Sequence, residues 1–294
     1  MTKPYIIVTP GYNSFCGGIK VLHRLCHLLN EHGLEAYLTA EGTPSDWNVK
    51  FLKNLSDEQI VDMQQTGIAV YPDVVWGNPL RFNNCVQYDL QAMRTIQSNM
   101  LGVSLESCFE SKVKADLTMH IIYMEDFFKF PEKQEERSGI CYYKGKGKTL
   151  CPDGSWFKIE NVGREDLAKL YQKSLYLVCA DNMTQTTVEA RLCGCPVKMI
   201  EPSMLSWEAY RHDALGTNAV IVQEDKTLEQ AYSEIPAFIQ DYKIRITKNE
   251  DELLKFIEVT QNRQVEYKEL LRGFHPGVFG INPHFMNIFE RRGQ

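Results

Sequence analysis

No apolar run in the chain comes near the roughly 20 residues that a bilayer span requires, so a transmembrane helix is not expected. An excess of basic residues is also missing. Lys and Arg number 32 against 38 Asp and Glu, a formal net charge of −6. A nucleic-acid backbone calls for a basic face, so any anionic ligand of this chain has to meet a local cationic cluster instead. The opening MTKPYIIVTPG enters an apolar strand without the charged-then-apolar pattern of a secretory leader. Nine cysteines, an odd number, are therefore expected as reduced thiols in a cytoplasm. Cys193-x-Cys195 has no second pair at zinc spacing, and helix-end packing is its expected role. The glycine-bearing loop TPGYNSFCGG lacks the Gly-x-Gly-x-x-Gly pattern, which disfavours a nicotinamide enzyme.

What is present suits two medium domains. The chain has 294 residues, enough for two real cores, and its 44% hydrophobic and 24% charged content is that of an ordinary globular protein. The most informative stretch runs from Leu175 to Ile200. A short apolar strand is followed by a polar loop, then by Val188, Leu192 and Cys193 at helical spacing. Gly194 and Pro196 stop the helix, and Val197–Ile200 forms the next strand. Two strands joined by a helix form a right-handed parallel crossover, and open parallel sheets bind ligands beyond their carboxyl ends. The helix opening with Thr186 and Thr187 suits a phosphate. Glu189, one turn in, offers acceptors to a ribose diol. Thr186-x-x-Glu189 is equally a capping box, in which Glu189 folds back on a backbone N–H.

The N-terminal half opens with a strand at Tyr5–Thr9. Gly17 and Gly18 start a helix that carries Ile19, Leu22, Leu25, Cys26 and Leu29 on one face, and Glu35–Leu38 is a second strand. A glycine pair lets backbone approach a bulky ligand. His23 and His27 fall among polar neighbours and are expected on a solvated face. A short helix is expected near Asp57–Met63, and strands at Ile68–Tyr71, Val74–Trp76, Cys85–Tyr88 and Leu117–Met124. Glu125 and Asp126 stand at the end of the last of these as candidate bases for an acceptor hydroxyl. The charged run Pro131–Arg137 reads as an exposed linker. Beyond it, Ile140–Tyr143 leads into Lys144-Gly145-Lys146-Gly147-Lys148, where glycines wrap and lysines neutralise an anion. Gly163–Tyr171 starts an amphipathic helix with acids in its first turn, and Arg164 is expected at the surface. Helices are expected at Leu228–Tyr242, broken at Pro236, and at Asp251–Leu271.

The order Asp181, seven residues, Glu189-Ala190, then Gly194-Cys195-Pro196-Val197 resembles the nucleotide-sugar signature of GT-B glycosyltransferases, with Asp where the family usually has Glu. The glycine loop and helix at Gly17–Gly33 and the helix at Gly163–Tyr171 resemble the same family. The resemblance implies an α/β chain of two Rossmann-like domains facing a cleft, the N-terminal one short: 1–132 on the acceptor side, 133–272 for the nucleotide sugar, and a tail, 273–294, crossing back. It implies Glu189 as the ribose ligand and Asp181 as the sugar-side acid. Gly17, Gly18, Lys146 and Lys148 would lie near the donor diphosphate, with Thr186 and Thr187 beside it. The implied activity is transfer of a sugar from a nucleotide-diphosphate donor to a hydroxyl of a glycan or lipid-linked saccharide. No Asp-x-Asp occurs in the chain, which agrees with lysines and a helix end in place of a metal; no cofactor beyond the donor is expected. A non-hydrolysing nucleotide-sugar epimerase and a non-catalytic nucleotide-sugar-binding subunit are the rival readings. Arg291 and Arg292 in the tail offer a peripheral membrane contact.

Overall fold

Each half of the chain is built around its own parallel sheet. The computed structural model describes residues 2–91, 95–105, 115–133, 135–145, 154–200, 206 and 215–264. Lys146, Lys148 and the tail 273–294 lie outside them. The chain divides into two units: it passes from the first to the second at Leu117–Thr118 and returns at Leu253–Leu254. Residues 118–132, expected in the first domain because of the charged run that follows, therefore cluster with the second unit.

The first unit contains β1 (Tyr5–Ile7), α1 (Gly17–Glu31), β2 (Ala36–Leu38), β3 (Lys50–Phe51), α2 (Asp57–Thr66), β4 (Ile68–Pro72), β5 (Asn84–Asp89), β6 (Leu101–Ser104) and the start of β7 (Leu117–Thr118). Its sheet has the order β3-β2-β1-β4-β5-β6-β7, the Rossmann order, which reverses between β1 and β4. Tyr5–Ile7 and Ile68–Pro72 are buried along their whole length. That is the mark of parallel strands covered on both faces, and it explains their unbroken apolar runs. The α1 helix buries Leu22, Leu25, Cys26 and Leu29. The α2 helix starts in a capping box between Ser56 and Gln59, a signal passed over in reading the sequence. Val74–Trp76 is a turn and not a strand: the Val75 N–H donates to Pro72 O at 2.9 Å. Of the strand expected at Leu117–Met124 only Leu117–Thr118 pairs. Among the described residues the first sheet has seven strands and the second five, and β4 joins β5 without a crossover helix.

The second unit contains β8 (Ile140–Tyr143), β9 (Phe157–Lys158), α3 (Arg164–Lys173), β10 (Tyr176–Cys179), α4 (Thr186–Leu192), β11 (Val197–Met199), β12 (Val220–Val222), α5 (Leu228–Ser233) and most of α6 (Ile235–Asn262). Its order, β12-β11-β10-β8-β9, is the flavodoxin-like one, and it reverses between β8 and β10. Tyr176↔Ile140 through Cys179↔Tyr143 set the register there. Pro236 stands two residues after the expected break, which falls at Glu234 between α5 and α6. It lies in the first turn of α6, where no intrahelical N–H is required, and the helix then runs unbroken to Asn262. Arg137, read as the end of a linker, is part of the fold. Its guanidinium donates to Tyr171 O, Ser174 O and Cys193 O at 2.8, 3.1 and 3.0 Å. It thereby satisfies carbonyls at the ends of α3 and α4, where a cation is favoured. Where the chain enters and leaves this unit, His120 Nδ1 lies 2.9 Å from Glu252, which also pairs with Arg245 at 2.8 Å. His120 is a packed histidine, as expected. No helix among the described residues is long and apolar enough to cross a membrane.

Candidate functional site

The site grows from the point where the second sheet reverses its strand order. The β8 strand ends at Tyr143 and runs into Gly145, which has φ +50°. The β10 strand ends at Cys179 and runs into Asp181. The two exits touch. A Cβ on Gly145 would sit 2.5 Å from Asp181 Oδ2 and 2.6 Å from the Tyr143 ring. Only glycine combines that φ with that approach, so the first glycine of the lysine–glycine loop is committed to lying against Asp181. Asp181 is 2% exposed, and its Oδ1 accepts the Met183 N–H at 3.0 Å, a local Asx turn. Burial, followed by the Asp181 charge, pushes the Tyr143 hydroxyl up to about 12.

Glu189 lies on α4, one turn beyond this point. The capping-box alternative is not formed, since Gln185 precedes the helix with no side-chain cap. The carboxylate is held by Arg164 at the start of α3. Nη1 donates to Oε2 at 3.1 Å and Nη2 to Oε1 at 2.6 Å. The same guanidinium holds Glu125, with Nε to Oε1 at 3.1 Å and Nη2 to Oε2 at 2.8 Å, and lies 4.5 Å over the Phe128 ring. Arg164 is thus no surface residue; its side chain is 12% exposed. Burial works against its charge, but hydrogen bonds and attraction from the two carboxylates outweigh burial and raise its pKa. Sequence reasoning left Arg164 outside the site because no spacing rule connects the first turn of one helix with that of the next.

The other expected residues are placed as follows. Thr187 is buried and its hydroxyl donates to Thr184 O at 3.2 Å, while the Thr186 N–H reaches Thr184 Oγ1 at 3.3 Å. The turn uses both groups, and α4 is only seven residues long. Asp126 is exposed beside Glu125. Gly17 opens α1 in the first unit, and a Cβ on Gly18 would meet Leu90 at 3.3 Å, so close packing is what that glycine serves. Sequence reasoning also missed Glu160, just past β9. Its Oε1 accepts the Lys144 N–H at 3.4 Å, and its buried Oε2 has no hydrogen-bond partner.

His23 is not on a solvated face, whereas His27 is half-exposed. His23 is fully buried, its Nδ1 2.7 Å from Thr43 Oγ1 and its Nε2 3.0 Å from Pro10 O. His27 stacks on Trp47 and accepts the Asn48 N–H at 2.8 Å. Among the described residues no group of three His, Cys, Asp or Glu side chains is arranged to hold a metal ion.

No family model matches the chain, and no curated protein matches it. Solved structures do. The glycosyltransferase SnogD from Streptomyces nogalater is similar over 88% of this chain and 99% of its own, at 10% identity and TM-score 0.40. MurG of Acinetobacter baumannii is similar over 88% and 100%, at 9% and 0.36. A K341M mutant of the O-GlcNAc transferase of Thermobaculum terrenum is similar over 89% and 64%, at 12% and 0.46. The α/β architecture of two Rossmann-like units rests on the chain's own sheet topology.

Proposed function

We propose that the chain is a glycosyltransferase that takes a nucleotide-diphosphate sugar on the carboxyl edge of its second unit and passes the sugar to a hydroxyl of a glycan or lipid-linked saccharide, as in the making of a cell-surface polysaccharide. One observation carries the reading. At the strand-order reversal of the second sheet, the glycine of a lysine-rich loop lies against Asp181, and the next helix carries Glu189, held by Arg164. A ligand crevice belongs at such a reversal, and the three groups correspond to diphosphate, sugar and ribose.

In this reading the acceptor oxygen forms a bond to the anomeric carbon, and the bond from that carbon to the diphosphate oxygen breaks. The nucleoside diphosphate leaves with the electron pair, and the acceptor proton passes to a base. Lys146 and Lys148 meet the charge that develops on the leaving diphosphate, without a metal. Asp181 stands at the donor sugar and Glu189 at the ribose. Of the two candidate bases, Asp126 is the better placed, because both Glu125 oxygens already accept from Arg164.

The test is a thermal-shift screen of nucleotide sugars, followed by product analysis with the one that stabilises. A stabilising donor whose sugar is passed to a saccharide acceptor is the expected result. Glu189→Gln should abolish the shift; its unliganded melting temperature, lowered because Arg164 loses one of its two carboxylate partners, reports whether the variant is folded. A donor that is epimerised without an acceptor would replace this reading with an epimerase. Binding with no turnover in the presence of saccharide acceptors would replace it with a binding subunit. Full stabilisation of Glu189→Gln would remove Glu189 from the site.

A further inference from the structure

A single apolar side chain in water is ordinary; several at one functional edge are informative. Among the described residues, Trp76 at 66% and Phe15 at 56% are the most exposed of the large hydrophobic side chains. They are distant in sequence, yet both stand on the carboxyl edge of the first sheet. Phe15 is in the loop that leaves β1 and enters α1, and Trp76 is in the turn that leaves β4. The two strands are neighbours, paired in parallel from Tyr5↔Ile68 to Ile7↔Val70, and the strand order reverses between them. An open parallel sheet offers a ligand crevice at such a place.

Both side chains are carried on a fixed backbone. In the first loop the Phe15 N–H donates to Asn13 Oδ1 at 2.9 Å and the Cys16 N–H to Asn13 O at 3.1 Å. In the second the Val75 N–H donates to Pro72 O at 2.9 Å and the Gly77 N–H to Gln97 Oε1 at 2.9 Å. Val75 packs in the core, and the residue after it is the exposed tryptophan. A surface that is formed before its ligand arrives loses less entropy when it binds.

The chemistry of the loops narrows the occupant. Residues 8–18 and 74–80 include no Lys, Arg, Asp or Glu, so neither a phosphate nor an anionic lipid surface meets a counter-charge in them. Their polar groups are neutral, with Asn13 exposed and Ser14 half-buried beside Phe15. Exposed rings next to neutral amide and hydroxyl groups fit a saccharide. A pyranose turns a face of C–H bonds toward the negative face of an aromatic ring, and its hydroxyls take hydrogen bonds at the rim.

We propose that Phe15 and Trp76 hold the acceptor saccharide by stacking on the apolar faces of its sugar rings, at the strand-order reversal of the first unit. That the saccharide is an acceptor rests on the proposed transferase activity; that a saccharide binds here does not.

The experiment applies the labelled full chain, without nucleotide, to an array of immobilised glucans, mannans, galactans, rhamnans and N-acetylhexosamine oligomers, and measures affinity for those retained. The parent should bind at least one. Phe15→Ala and Trp76→Ala should each weaken that binding roughly tenfold, the scale of an aromatic contact, and Trp76→Phe should keep most of it because a ring remains. Melting temperatures should stay near that of the parent, since both side chains are exposed. No saccharide retained by the parent, or full binding by either alanine variant, overturns the inference. Binding of the parent to vesicles of phosphatidylglycerol and phosphatidylcholine that both alanine variants lose overturns it in favour of a lipid surface. Saccharide binding through the two rings in a chain that no nucleotide sugar stabilises leaves the platform standing and removes the transferase reading. Donor stabilisation and sugar transfer that survive both alanine substitutions unchanged do the reverse.

Discussion

The two sheets reverse their strand order at comparable places and finish those places in opposite ways. At the first, the loop after β1 is tied down by hydrogen bonds between uncharged groups, and the charged residues there, Lys20 on α1 and Asp73 after β4, are buried. Thr9 and Thr39 exchange hydrogen bonds of 2.9 Å, His23 ties Pro10 to Thr43, and Trp47 packs edge-on against Tyr12 with Arg24 above it. At the second, after β8 and β10, the edge is assembled from Asp181, Glu160, Glu189 and Glu125, with Arg164 between the last two. A loop tied down by its own hydrogen bonds needs no partner to be stable. Topology marks both places as ligand crevices; under the proposed function the second is the one that takes the nucleotide.

Removing the cation from the charged edge should have the largest effect. Arg164→Met leaves Glu125 and Glu189 facing each other with no counter-charge, the situation in which breaking a buried pair costs about 3–5 kcal/mol. Hydrogen exchange at α3 and α4 should show the loss within the second unit and leave α1 protected. A cost below about 1 kcal/mol, the scale of an exposed ion pair, would mean that the edge is held by packing, as the first one is. Gly145→Ala comes next. It adds a Cβ 2.5 Å from Asp181 Oδ2 at φ +50°. A left-handed alanine costs about 1–3 kcal/mol and overpacking about 1–3 more. Urea unfolding should register a fall of a few kcal/mol, with donor-induced stabilisation lost as well. If Gly145→Ala is tolerated, the contact between loop and acid does not define the edge.

The first edge should give a smaller, pH-dependent response. Burial lowers the pKa of His23 below its ordinary 6.5, although the Pro10 carbonyl works the other way. Proton uptake then favours the unfolded chain. Stability is fully present above pH 6.5 and is lost as pH falls from there toward the lowered folded value, at no more than about 1.4 kcal/mol per pH unit for one group. His23→Gln should remove that slope between pH 7 and pH 5. A slope that survives the substitution belongs to another group.

Much of the second edge was legible because its parts are local in sequence. The acid, seven residues, Glu spacing and the glycine–proline stop lie within one strand–helix–strand unit, and the structure uses them there. Ala190, Leu192, Cys193 and Cys195 are buried, and Gly194 at φ +73° would place a Cβ within 2.7 Å of Phe130. What the sequence concealed is non-local. Arg164 looked like a surface residue because its partners are 39 residues before it and 25 after it. Arg137 looked like linker because the carbonyls it caps belong to helices that come later. His23 looked solvated because the loop that buries it, at Thr43, follows the helix. Periodicity reports which face of an element is apolar; it is silent on which polar groups from distant elements will meet.

Asp126 puts the smallest effect to the test. It is adjacent to Glu125 in sequence and differs from it in everything the fold adds. Glu125 is fixed by four-centre contact with Arg164 and its side chain is 14% exposed, whereas Asp126 is exposed and lies outside that network. Asp126→Asn should therefore change stability by less than about 0.5 kcal/mol, as surface substitutions away from special features do. The same change should leave nucleotide affinity unaltered, because the carboxylates that hold Arg164 are untouched. If transfer to the acceptor nevertheless falls by a factor of the order of 10²–10⁴, the range for loss of a general base, then the acceptor chemistry belongs to the one acid at this turn that the charged network leaves in contact with solvent. A destabilisation as large as that of Arg164→Met would instead extend the network to Asp126, and the division of labour between these two neighbouring acids would collapse.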